Sequence, residues 1–267
     1  MTTELSSLER LLRRDRQIVV VALVSVATLA WIYTMSGVGM GMNAFEMSRM
    51  PWVSANGHSM TRPSSGLSYV LVLLTMWWVM MVAMMLPSAT PAILLAAALN
   101  RRSTSDCPPY GTAITFTLGY LLAWFIFSLV AVAAQMVLES NGLLSTMMHS
   151  SSTYLTAGLL LAAGVWQFSP IKQACLRYCR SPVDFITRHR RPGNRGALVM
   201  GLHHGTYCLG CCWFLMALLF AGGVMNLYWI AGLAIFVLIE KLFSGGVWFS
   251  RITGAGFIIV GTGLLVA

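Results

Sequence analysis

The chain has 267 residues, of which 57% are hydrophobic and only 9% are charged, and its mean hydropathy is +0.74. This composition excludes a water-soluble globular domain, because too few polar residues remain to cover its surface. The net charge of +9 is accompanied by no nucleic-acid-binding motif, and the sequence lacks a phosphate-binding glycine loop, a G-x-S-x-G motif and paired catalytic acids. We therefore predict one all-α transmembrane domain over residues 1–267, for which binding a metal ion is favoured over catalysis and an enzymatic role stays open.

Apolar runs predict a bundle of about seven membrane spans, since a span needs about 20 such residues. In chain order they are 18–36, 68–86, 112–138, 153–169, 197–221, 225–243 and 250–267. The basic arm 1–17 precedes a run that is longer than a signal-peptide core and has no cleavage site, which indicates a retained helix with a cytoplasmic N-terminus. The resulting topology leaves only Arg49 and Arg62 of the 17 Lys and Arg residues outside, as the positive-inside rule requires.

The predicted external loop, residues 37–67, is unusually rich in sulfur. It holds Met40, Met42, Met47, Met50 and Met60, together with His58. Thioethers suit Cu(I) and offer little to hard ions, so this loop could collect a soft cation. The alternative is that these methionines only line the membrane surface.

The second predicted span contains the sequence MWWVMMVAMMLPSATP, in which Met80, Met81 and Met84 lie within one turn of each other. Their sulfurs could contact one ion, although methionines also fill gaps between helices. Pro87 and Pro91 are expected to break or kink this helix near its cytoplasmic end.

The basic cytoplasmic loop 170–196 carries Cys175 and Cys179, which are four residues apart. If this segment is helical, both thiols lie on one face and can reach a common ion. We expect them at the inner membrane surface, where they would form an exchange site.

The fifth predicted span, GLHHGTYCLGCCWFLM, concentrates thiols and imidazoles in apolar surroundings. At 100° per residue, His204, Cys208, Cys211 and Cys212 share one face with Gly201 and Gly205. One interpretation is a packing seam, because G-x-x-x-G allows a close helix approach and cysteine acts as a small hydrophobe. The other is a metal site near mid-bilayer with these four residues as central ligands, joined by Met80, Met81 and Met84 if the second span packs against the fifth.

The sixth predicted span ends with Glu240 and Lys241 near the inner boundary. A carboxylate at this depth is a functional candidate by default, and a snorkelling lysine beside an acid is the ordinary alternative. In a metal site Glu240 would balance charge or relay a proton. Because two thiolates and one Cu(I) leave a net negative charge, Lys241 or His203 would compensate it.

Three blocks carry a resemblance to a known family: WWVMMVAMMLPSATP, PIKQACLRYCRSP, and GTYCLGCCWFLM followed by GGVMNLYWIAGLAIFVLIEKL. In order and spacing they resemble a bacterial family of unknown function that is described as predicted metal-binding integral membrane proteins. The resemblance implies a multi-pass protein of the bacterial inner membrane and adds Met216 and Glu240 to the candidate ligands. The positions that match are Met80, Met81, Met84, Met85, Pro87, Cys175, Cys179, Cys208, Cys212, Trp213, Met216, Met225, Asn226, Glu240 and Lys241.

These observations favour a membrane protein that binds a soft ion, Cu(I) before zinc or iron, for transport, delivery or storage. A non-catalytic subunit or assembly factor of a larger membrane copper enzyme is the first alternative. A membrane thiol-disulfide oxidoreductase using Cys208 with Cys211 or Cys212 is the second. The expected partners are the lipid bilayer and other membrane subunits or a metallochaperone, without nucleic acid.

Overall fold

A computed structural model describes residues 2–37, 66–101, 109–145, 148–189, 191, 193–242 and 246–266. The chain is helical, as predicted. The helices are α1 (Thr2–Ser36), α2 (Leu67–Arg101), α3 (Pro109–Ser140), α4 (Thr153–Phe168), α5 (Pro170–Arg180), α6 (Pro182–His189), α7 (Gly193–Ala217), α8 (Leu219–Gly222), α9 (Leu227–Leu242) and α10 (Gly246–Val266). The methionine-rich loop with His58, as well as Arg49 and Arg62, lies outside the described residues.

Five of the described segments are long and apolar enough to cross a membrane: Arg16–Ser36, Leu67–Leu99, Gly111–Ser140, Gly193–Gly222 and Val247–Val266. A sixth crossing is available if α4 and α5, which meet at a 68° bend, form one broken span. Helix α9 has 16 residues, which is short of the about 20 that a perpendicular span needs. The count of seven spans and the cytoplasmic N-terminus therefore stay predictions.

Two segments differ from their expected local structure. Helix α2 runs on through Pro87 and Pro91 and ends only at Arg101, so neither proline terminates it. The carbonyl of Met85 on this helix accepts hydrogen bonds from the Ser88 and Tyr120 hydroxyls. The predicted loop 170–196 contains α5 and α6, and α5 packs against α7.

Glycines allow α3 and α7 to pack tightly and extensively against each other. A Cβ on Gly201 would lie 2.0 Å from the carbonyl oxygen of Phe116, and one on Gly119 would lie 2.1 Å from that of Leu198. Gly205 is similarly tight against Tyr120 and Ala123. The G-x-x-x-G pair is thus a packing seam, and it holds α7 at a fixed distance from α3.

Replacing Gly201 with alanine should destabilise the protein by about 2 kcal/mol or more, because the added methyl group meets backbone and cannot be accommodated by a side-chain rotation. Thermal unfolding in detergent measures the effect. Gly232→Ala on α9 is the matched control, since a Cβ at residue 232 would have nothing within 4 Å. Equal melting temperatures for the two variants would contradict the proposed close contact.

Candidate metal centre

Four cysteines from α5 and α7 form a thiol cluster, which we define as Cys179, Cys208, Cys211 and Cys212. The Cys179 and Cys211 sulfur atoms are 4.0 Å apart. The Cys208 side chain is close enough to the other three thiols to interact with them electrostatically. The three cysteines of α7 are buried and Cys179 is partly buried, and all four are free thiols. The two groups of cysteines that we predicted at different depths therefore meet.

Local helix geometry presents the α7 thiols to α5. Cys211 and Cys212 donate hydrogen bonds to the carbonyl oxygen of Cys208, at 3.0 and 2.9 Å, which turns their side chains along the helix. Cys175 lies one helical turn from Cys179 and packs against Gly210, where an added Cβ would be 2.8 Å from the Cys175 sulfur. The lack of a side chain at residue 210 thus lets α5 approach α7.

Polar groups from three other helices surround Cys208. The Lys241 ammonium on α9 donates hydrogen bonds to the Cys208 sulfur and to the Ser88 hydroxyl, both at 2.9 Å. The Tyr120 hydroxyl on α3 lies 3.1 Å from the same sulfur and donates to the carbonyl of Met85. Lys241 and Tyr120 are both buried. A cation and a hydroxyl therefore contact the thiol cluster in surroundings that contain little water.

Glu240, the residue before Lys241, belongs to a separate network of charged side chains. The Glu240 carboxylate is 2.7 Å from the Lys172 ammonium and accepts a 2.6 Å hydrogen bond from Ser250. Arg180 donates to the Glu240 main-chain carbonyl at 3.0 and 2.7 Å, and Lys172 also donates to Gln167. Both charges of the ion pair are buried. The carboxylate of Glu240 is therefore occupied by these partners, and its role as a metal ligand remains a prediction.

His204 lies among aromatic rings one turn before Cys208. Its ring centroid is 5.2 to 5.9 Å from those of Phe116, Tyr120 and Phe185. It is buried and its Nδ1 atom has no hydrogen-bond partner. A buried polar atom without a partner costs free energy unless a ligand or water satisfies it, so this nitrogen is available to a bound ion. His203, in contrast, is exposed.

The predicted methionine ligands are buried. The contacts that connect helix α2 with the thiol cluster are made by other residues. Met80, Met81 and Met84 on α2 and Met216 on α7 are all within the core. The helix that packs extensively against both α2 and α7 is α3. Tyr120 and Lys241 are the side chains that connect the two, since each bonds both Cys208 and a residue of α2.

The arrangement suits a metal that accepts few ligands. Among the residues that the structure describes, no group of three or more His, Cys, Asp or Glu side chains is positioned to hold one ion. Two sulfurs bound to the same ion at about 2.3 Å each are separated by about 3.8 Å at a tetrahedral angle and about 4.6 Å in a line. The 4.0 Å between Cys179 and Cys211 lies in this interval, so both sulfurs can contact one ion.

Comparison with known proteins identifies the family. The sequence profile of a copper chaperone family, PpoB2, matches residues 74–264, which is well over half of the chain. The chain belongs to this family. No curated protein and no solved structure matches it. The residues of the PpoB2 match include the whole thiol cluster, Lys241 and the Lys172–Glu240 pair, whereas α1 lies outside it.

Sequence reasoning missed Tyr120 and Ser88, and it did not foresee the pairing of Lys172 with Glu240. The position of Tyr120 in the apolar run of α3 could have indicated a buried polar contact, because a buried phenolic hydroxyl needs a hydrogen-bond partner. Ser88 gave no comparable signal, since a serine in a helix commonly bonds its own backbone. In this PpoB2 member the partners of all three residues come from distant parts of the chain.

Proposed function

We propose that this chain binds Cu(I) as cargo at the thiol cluster and passes it to a copper-requiring partner protein. The observation that carries the proposal is the Cys179–Cys211 pair, with sulfurs 4.0 Å apart inside a bundle that matches a copper chaperone family. Delivery is favoured over storage because one thiol pair offers few binding positions. The helices that are long and apolar enough to span a bilayer support a location in a membrane, which we propose is the bacterial inner membrane.

The ligand chemistry supports Cu(I) over zinc and iron. Thiolates and thioethers are soft ligands that select Cu(I), whereas structural zinc takes four ligands in a tetrahedron. The four thiols are not arranged as a tetrahedral set, and the nearby carboxylate of Glu240 is held by Lys172 and Ser250. A d¹⁰ ion that is stable with two sulfur ligands meets these conditions.

Lys241 supports the proposal through charge. Two thiolates and one Cu(I) carry a net charge of −1, and a buried negative charge is costly without a counter-ion. The Lys241 ammonium is already in contact with Cys208, which lies beside both members of the pair in the thiol cluster. Of the two compensating residues suggested by the sequence, only Lys241 contacts the thiol cluster, because His203 is exposed.

Low coordination also suits transfer. An ion with two ligands leaves room for a third thiolate from a partner, so copper can pass by ligand exchange without being released. Cys179 is only partly buried and Cys175 lies beside it at the edge of the bundle, which makes this side of α5 the proposed exit. A metallochaperone or a subunit of a membrane copper enzyme is the proposed partner, which unites delivery with the assembly-factor alternative.

Cys179→Ser should abolish most high-affinity Cu(I) binding, while Cys175→Ser should retain it. The two cysteines are one turn apart on the same helix, but the Cys179 sulfur is 4.0 Å from that of Cys211, whereas the Cys175 sulfur packs against Gly210. Each protein is purified in detergent without oxygen, loaded with Cu(I), and analysed for bound copper and for the Cu–S shell in copper-edge X-ray absorption. We expect about one tightly bound copper per wild-type chain and per Cys175→Ser chain.

Retention of high-affinity Cu(I) binding by Cys179→Ser, or its absence from the wild type, would refute the proposed site. Thiol mapping by mass spectrometry in native membranes tests the oxidoreductase alternative. A disulfide between Cys208 and either Cys211 or Cys212 in the metal-free protein that cycles during turnover would favour that alternative, whereas wholly reduced thiols favour the copper site.

A further inference from the structure

A second sulfur-rich position lies away from the thiol cluster, where α1 ends and α2 begins. A small cavity there is lined by Tyr33, Thr34, Gly37, Met76, Met80 and Met225. We call it the thioether pocket. Its methionines come from α2 and from the turn before α9, so distant segments of the chain converge on it. All three are buried.

The size and chemistry of the thioether pocket limit what can bind. The free volume is about 10 Å³, which is room for one particle of the size of water. Among the described residues, its lining contains three thioethers and no carboxylate, amine or imidazole. The Thr34 hydroxyl donates to the carbonyl of Ala30. Water needs two or more polar partners, whereas a soft monovalent cation is bound by sulfur.

We propose that Met76, Met80 and Met225 form a second Cu(I) site that receives the ion before the thiol cluster does. Three neutral thioethers leave the complex with its charge of +1, so binding here is weaker than binding to thiolates. The thiol cluster binds the ion with anionic ligands and Lys241 as counter-ion. Copper therefore moves down a free-energy gradient from the thioether pocket to the thiol cluster.

Helix α2 provides the connection between the two sites. Met84 follows Met80 by one turn, about 6 Å along the axis, and Ser88 follows by two turns, about 12 Å. Ser88 accepts the hydrogen bond from the Lys241 ammonium that also contacts Cys208. Met81 and Met84 are buried between these levels. The methionine run of α2 thus extends from one site toward the other.

Copper-edge X-ray absorption on selenomethionine-labelled protein tests this proposal, because a Cu–Se shell reports thioether binding directly. In a Cys179→Ser/Cys211→Ser background with one equivalent of Cu(I), we expect a Cu–Se shell in place of Cu–S. Adding Met76→Leu/Met225→Leu should remove that shell, because only one of the three thioethers is then left. The matched control adds Met148→Leu/Met200→Leu, which are also buried but do not line the pocket, and should leave the shell unchanged.

Wild-type protein with two equivalents of Cu(I) provides a measurement that does not depend on the cysteine variants folding. We expect Cu–S and Cu–Se shells together, with the Cu–Se part lost in Met76→Leu/Met225→Leu. This second site rests on the proposed function only for the identity of the ion, Cu(I). A Cu–Se shell without Cu–S would support the thioether pocket and refute the thiol cluster, whereas Cu–S alone, or a Cu–Se shell that survives the leucine substitutions, would overturn the pocket.

Discussion

Replacing Lys241 with methionine should lower the affinity for Cu(I) about 100-fold. Methionine keeps most of the unbranched side-chain volume and removes the charge that contacts Cys208 at 2.9 Å. At an effective dielectric constant of about 20 and a separation of about 6 Å, one unit charge contributes roughly 3 kcal/mol to a copper complex with net charge −1. This free energy corresponds to about two orders of magnitude in Kd.

Competition against a chromophoric Cu(I) chelator under anaerobic conditions measures the change. Arg251→Met is the control, because Arg251 is exposed on α10 and its replacement removes the same charge far from any described contact with sulfur. It should shift Kd less than about twofold. The Lys241→Met protein must remain monodisperse in detergent and keep its melting temperature within a few degrees. An unchanged Kd in Lys241→Met would show that the ammonium does not compensate the bound copper.

The Lys172–Glu240 ion pair should be the most sensitive point of the fold. Lys172→Met leaves the Glu240 carboxylate buried with Ser250 as its remaining side-chain partner, and an uncompensated buried charge costs about 3–5 kcal/mol. Glu240→Gln should be similarly destabilising because it leaves Lys172 charged. The double variant Lys172→Met/Glu240→Gln removes both charges, so it should be more stable than the sum of the two single changes by about 2 kcal/mol.

Unfolding titrations in mixed micelles supply the four free energies of this double-mutant cycle. Arg177→Met is the matched control on α5, since Arg177 is exposed and its loss should change the free energy of unfolding by less than about 0.5 kcal/mol. Additive effects of the two single variants would mean that the ion pair contributes no coupling. If Glu240→Gln instead leaves stability unchanged and reduces copper transfer, Glu240 acts as the proton relay that the sequence suggested.

The helices and the shared face of the cysteines were predictable because they depend on local periodicity. Apolar runs indicate helices wherever they occur, and a spacing of 3.6 residues per turn puts His204, Cys208 and Cys212 on one side of α7 in any context. The G-x-x-x-G pattern likewise indicated that Gly201 and Gly205 face a neighbouring helix. The ends of helices were less predictable, as α2 shows by continuing through two prolines.

The depth of the inner cysteines was not predictable, because it depends on how α5 folds back. A basic segment suggests a loop at the membrane surface. In the structure, α4 and α5 meet at a bend of 68°, and the absence of a side chain at Gly210 lets α5 approach α7, so that Cys179 contacts Cys211. The interaction partners of Glu240 and Lys241 were likewise not predictable from the sequence. Glu240 and Lys241 are adjacent in sequence, but the helix directs one toward Lys172 and the other toward Cys208.

By itself, the sequence determined that the chain is helical and apolar, that its thiols occur in pairs at helical spacing, and that soft ligands outnumber hard ones near them. These properties follow from composition and from the geometry of a single helix. Only the tertiary structure decided that α5 supplies a thiol to the α7 cysteines, that Tyr120 and Lys241 contact Cys208, and that Met225 joins Met76 and Met80. Such contacts join residues far apart in sequence, and the packing of one helix against another sets them.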